Sequence, residues 1–77
     1  MDREMVLEHF RLAAQHVRQG IVHVQNQRSL IADLEAHGRD SVEAISLLTK
    51  FEEMLELHQA DLKRLQKALA EAGAADG

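Results

Sequence analysis

Apolar residues recur every seven positions through two long stretches of the chain. Phe10, Val17, Val24 and Ile31 form one array, and Leu48, Leu55, Leu62 and Leu69 form the other. Interleaved rows carry Val6, Ala13, Gly20, Gln27 and Leu34 in the first stretch, and Ala44, Phe51, His58, Leu65 and Ala72 in the second. In heptad notation these are the a and d positions of two amphipathic helices. Gly20 and Gln27 stand where a large apolar side chain belongs. Gly20 lowers helix propensity by about 1 kcal/mol relative to Ala, which marks it as a kink or as room for a bulky group from the partner helix.

The pattern predicts one domain: a helix over about 2–37, a turn at 38–40, a second helix over about 41–72 and a flexible tail at 73–77. Asp2 serves as the first N-cap. Gly38 suits the left-handed C′ position that closes a helix. Asp40 with Glu43 has capping-box spacing, with Ser41 as the competing N-cap. So short a turn forces the helices to lie antiparallel and adjacent. The expected fold is therefore all-α, an antiparallel, coiled-coil-like two-helix hairpin. Its seam is Phe10, Val17, Val24, Ile31, Leu48, Phe51, Leu55, Leu62, Leu65 and Leu69.

Register follows from mirror symmetry. The a-position pairs 10 and 69, 17 and 62, 24 and 55, and 31 and 48 all reflect through a point inside Gly38-Arg39-Asp40. That register sets Ala13 against Leu65, Gly20 against His58 and Gln27 against Phe51. It also brings Arg28 near Glu52 and His16 near Asp61. A slip of half a heptad, which would pair a with d, is the competing register.

Composition supports the helical reading and narrows the function. The 77 residues are 45% hydrophobic, with no Pro, Cys, Trp or Tyr and only two aromatic residues, Phe10 and Phe51. Lacking cysteine, the chain has neither disulfides nor thiolate metal sites. A net charge of −4 argues against general affinity for nucleic-acid phosphates. No stretch approaches the roughly 18 apolar residues that span a bilayer, and the acidic N-terminus lacks the apolar run of a signal peptide. A cytoplasmic protein is expected, with no membrane or nucleic-acid partner.

Apolar residues also lie off the seam. Leu7, Ala14 and Ile21 line one side of the first helix; Leu30, Leu47, Met54 and Ala68 line the other side of the hairpin. A single seam in so short a chain rarely supplies more than about 3–5 kcal/mol. A homodimer forming a four-helix bundle, or else a helical protein partner, is the economical completion.

Histidine is the one chemically suggestive residue type. His9, His16 and His23 repeat every seven residues; Leu30 interrupts the row and His37 resumes it. Residues seven apart are separated by about 10.5 Å along a helix, too far to share a metal ion. No His-Glu-x-x-His or Glu-x-x-His motif completes a site. Histidines at an interface edge could instead sense pH, with His9, His16, His23 and His58 as the candidates. No nucleophile sits with a base at recognisable spacing, no phosphate-binding loop is present, and a hairpin offers little concavity for a substrate. We therefore expect no catalytic residues, no cofactor, no metal and no small-molecule substrate. The primary reading is a non-catalytic oligomerisation or protein–protein interaction module; the alternative is a pH- or metal-responsive protein built on the histidine stripe.

The pattern His23-Val24-x-x-Gln27-Arg28-x-Leu30-Ile31-x-x-Leu34-Glu35-x-x-Gly38-x-Asp40, followed by Leu47-Leu48-x-x-Phe51 and Leu55-x-x-His58, resembles small alphaproteobacterial helical-hairpin proteins of the Bradyrhizobium and Rhodopseudomonas type, a group of unknown function. The likeness covers most of residues 2–69. It implies a bacterial cytoplasmic protein and carries no functional residues across.

Overall fold

Two helices account for almost all of the computed structural model, which describes residues 2–76. Helix α1 spans Arg3–Ala36 and α2 spans Val42–Asp76. They pack along their whole length as an antiparallel hairpin, a rod of 60 × 14 × 14 Å. Its radius of gyration, 17.4 Å, compares with about 11–12 Å for a compact domain of this length.

Local chemistry sets each helix end. Asp2 accepts a hydrogen bond from the Glu4 amide at 3.4 Å and opens α1. At the other end Gly38 adopts φ 64°, the conformation glycine reaches without a Cβ clash. The Arg39 amide then donates to the Leu34 carbonyl at 2.8 Å and the Gly38 amide to the Glu35 carbonyl at 3.1 Å. These two bonds form a Schellman closure. The next helix uses both capping candidates. The Asp40 carboxylate accepts from the Val42 amide at 3.0 Å, while the Ser41 carbonyl accepts the first helical bond, from Ile45, at 2.9 Å. His37 reinforces the turn, its Nδ1 donating to the Asp33 carbonyl at 2.8 Å.

The far end departs from expectation. Residues 73–76 continue α2 rather than forming a flexible tail; Gly77 lies outside the described residues. Gly73 does not adopt a positive φ, unlike Gly38, so it does not terminate the helix. Its neighbours in Ala68–Asp76 are mostly Ala, the strongest helix former, which offsets one glycine.

The core is thin. Among the described residues Val6, Ala13, Val24, Leu65 and Gln27 are the buried side chains, and none falls below 2% exposure. The other a and d residues of both helices are half-buried.

The helices adopt the competing register, half a heptad from the mirror-symmetric one. Leu55, not His58, lies against Gly20: a Cβ built on Gly20 would sit 3.0 Å from Leu55 Cδ1 and 3.8 Å from its Cα. His58 instead stacks on His16, with ring centroids 5.1 Å apart. Phe51 lies against His23 at 5.8 Å rather than against Gln27, whose Nε2 donates to the Ala44 carbonyl at 2.9 Å. Residue numbers of facing groups thus total about 75 instead of 79, half a heptad away, so a pairs with d.

The physical reason is vertical spacing. Along α1 the step from a to d is three residues and from d to a is four. Running α2 backwards reverses that order. Setting a against a leaves the d layers one residue, about 1.5 Å, out of step. Setting a against d aligns every layer. The same shift moves Ala13 from the level of Leu65 to that of Leu62. Gly20 is a point of close approach between the helices, not a recess for an imidazole.

Candidate functional site

With the a and d rows consumed by the seam, the remaining residues divide between two long flanks. Positions e and b of both helices line one. Positions g and c line the other. Arg28 and Glu52, both at e, join across the first flank at 3.0 Å as expected. Both side chains are well exposed, 61% and 45%, so the pair contributes at most a few tenths of a kcal/mol.

On the second flank a cleft of 310 Å³ lies between the helices, lined by His16, Gln19, Gly20, His23, Phe51, Met54 and His58. Three of the four candidate pH-sensing histidines meet here: His16 against His58, and His23 against Phe51. His9 lies on the same row of α1, one heptad before His16, and outside the cleft lining. His58 is half-buried while His9, His16 and His23 are exposed. The expected His16–Asp61 contact does not form; Asp61 is instead paired with Arg64 on its own helix. His37 belongs to the turn, 3.4 Å from the Asp33 carboxylate. The cleft is open to solvent along the rod, so it borders a surface rather than enclosing a ligand.

On α1 this flank is uncharged from Met5 to Leu30, its members there being Met5, His9, Leu12, His16, Gln19, His23, Asn26 and Leu30, all exposed. Asp33 follows near the turn, and α2 contributes Glu43, Lys50, Asp61, Arg64 and Glu71 to the same flank. On the e and b positions, by contrast, α1 carries Glu4, Arg11, Arg18, Arg28 and Glu35. Of the ten large hydrophobic side chains exposed among the described residues, six (Met5, Leu12, Leu30, Leu47, Met54 and Leu57) lie at g or c. The heptad pattern placed Leu30, Leu47 and Met54 together; the uncharged stripe beside them, equally visible in the sequence, emerges once the g and c positions of α1 are read as one row.

Among the described residues no group of three or more His, Cys, Asp or Glu side chains converges on a point a metal ion could occupy. No helix is long and apolar enough to cross a membrane. No buried polar side-chain atom among them lacks a hydrogen-bond partner. Comparison with protein-family models, with curated proteins and with solved structures finds no match.

Proposed function

We propose that the protein is a non-catalytic helical interaction module that self-associates, two hairpins forming a four-helix bundle, in the bacterial cytoplasm that the sequence resemblance implies. The observation carrying this reading is the surface left uncovered. The chain exposes 5797 Å², whereas a compact monomer of 8.7 kDa exposes roughly 4,700 Å². The excess, roughly 1,100 Å², is comparable to one partner's share of a standard interface, about 800 Å². A seam with so few buried residues also leaves a lone hairpin marginal. Light scattering tests the reading: the expected mass is twice 8.7 kDa, falling towards one chain on dilution. A single-chain mass at every concentration would overturn it.

A second reading, response to pH, is favoured by the His16–His58 stack alone. Two protonated imidazoles 5.1 Å apart repel by about 0.8 kcal/mol even at the dielectric of water. Charge on both rings would therefore oppose the contact, whereas neutral rings stack without that repulsion. The titratable neighbours on this flank are His9 and His23 on α1 and Asp61 on α2, the last engaged by Arg64. Glu43, Lys50 and Glu71 complete its charged members on α2, and Asp33, held by His37, lies near the turn. Helicity and mass compared at pH 8 and pH 5.5, with and without zinc, separate the readings: no change with pH removes this one.

A further inference from the structure

The stripe of α1 from Met5 to Leu30 has the spacing of a second seam. Its members step alternately by four and three residues, which keeps one line of side chains against a neighbouring helix. Within the hairpin His16 and His23 of this line stack on His58 and Phe51 of α2, while Met5, Leu12 and Leu30 stay exposed because α2 packs on the a and d rows. A helix face left to water ordinarily carries charged side chains, as the opposite side of α1 does with Arg11, Arg18 and Arg28. The stripe carries none, and α2 adds exposed Leu47 and Met54 beside it. Depletion of Asp, Glu and Lys with retention of Met is the composition of an interface centre rather than a rim.

Resting on the self-association proposed above, we infer that a second copy of this chain covers the g and c flank, histidine flank to histidine flank, about a two-fold axis. The area allows it: the surplus of roughly 1,100 Å² over the whole rod exceeds the roughly 800 Å² that one partner contributes to a standard interface. Charge selects the occupant. A two-fold contact must be complementary to itself, and a neutral stripe meets its own copy without repulsion. The other flank would set Arg11, Arg18 and Arg28 near their own copies. Run antiparallel against itself, the stripe is centred between His16 and Gln19. Met5 then lies level with Leu30, and Leu12 with His23.

The test uses the full chain, by light scattering at pH 8, with helicity followed by circular dichroism. Leu12→Glu/Met54→Glu places charge on the histidine flank; Ile21→Glu/Ile45→Glu places it on the other, again at exposed positions. The first pair is expected to weaken association by on the order of a hundredfold, and the second by no more than about threefold, a separation of roughly 2 kcal/mol. Should the first pair also lose helicity, Gln19→Cys in this cysteine-free chain gives an independent readout. Near the two-fold axis it forms a disulfide-linked dimer under mild oxidation, and Ile21→Cys does not. Dissociation by the second pair alone, or linkage through position 21 alone, assigns the interface to the other flank. Either result overturns this inference and leaves self-association standing. A wild-type chain that is monomeric throughout overturns both.

Discussion

The two flanks of the hairpin share the same helices, seam and turn, yet solve the problem of being outside the core in opposite ways. The e and b flank mixes charges of both signs and ties α1 to α2 with the exposed Arg28–Glu52 pair. That is how a helix face meets water. The g and c flank withholds charge from α1 over Met5–Leu30 and places imidazoles, thioethers and leucines in the open. Folding the hairpin does not require that difference, since both flanks lie off the seam. The seam accounts for the fold; of the uncharged stripe, His16 and His23 also stack on α2, whereas Met5, Leu12 and Leu30 stay exposed.

Removing the ground common to both flanks has the largest expected effect. Leu65 is 3% exposed, and Leu65→Ala should destabilise the hairpin by about 2–4 kcal/mol, read as a lowered Tm. Self-association should be lost with it; association surviving the loss of helix would mean that the flanks do not depend on the seam. Next comes acidification. If the His16–His58 stack responds to pH as the second reading proposes, association should be weaker at pH 5.5 than at pH 8. Sedimentation velocity at the two pH values measures this; an unchanged constant would separate the histidines from the interface.

Smaller effects sharpen the contrast. Gly20→Ala gains about 1 kcal/mol of helix propensity but sets a methyl 3.0 Å from Leu55 Cδ1, the movable end of a half-buried side chain. The two terms should nearly cancel, leaving a change within about 1 kcal/mol in thermal or denaturant unfolding. A much larger loss would show that the helix approach here is rigid. Smallest of all, Arg28→Ala should lower stability by no more than about 0.5 kcal/mol. A double-mutant cycle with Glu52→Ala that returns more than 1 kcal/mol would show that the charged flank is not merely solvated.

Much of this was legible in the chain, for identifiable reasons. Period-seven apolar spacing gives two helices. Gly38 and Asp40, each at a position with a specific backbone requirement, place the turn between them. The a and d rows name the residues that become buried or half-buried. Register was less legible because mirror symmetry compares like with like, a with a, whereas packing compares heights, and only the a-to-d pairing equalises the three- and four-residue steps. Mirror symmetry therefore sets His58 against Gly20, whereas the a-to-d register places it beside His16. The end of α2 is hard to place from sequence because Gly73 and the alanines around it favour opposite outcomes, and α2 continues to Asp76. As for the site, the histidine row was visible, but its significance depends on the surrounding absence of charge, and a motif search registers residues that are present.

The turn has a kinetic consequence. Gly38, the two Schellman bonds, Asp40 and His37 satisfy one another over a handful of neighbouring residues, so this segment can form before any distant contact exists. Val6 and its counterparts near Leu69, by contrast, meet only across a loop of more than 60 residues, whose closure is entropically unfavourable. Folding should therefore run as a zipper, from the turn towards the free ends. Amide protection should decline along the 60 Å rod in the same order. In such a molecule Gly38→Ala, strained at φ 64° by about 1 kcal/mol, should act chiefly on the rate of folding and leave the rate of unfolding almost unchanged.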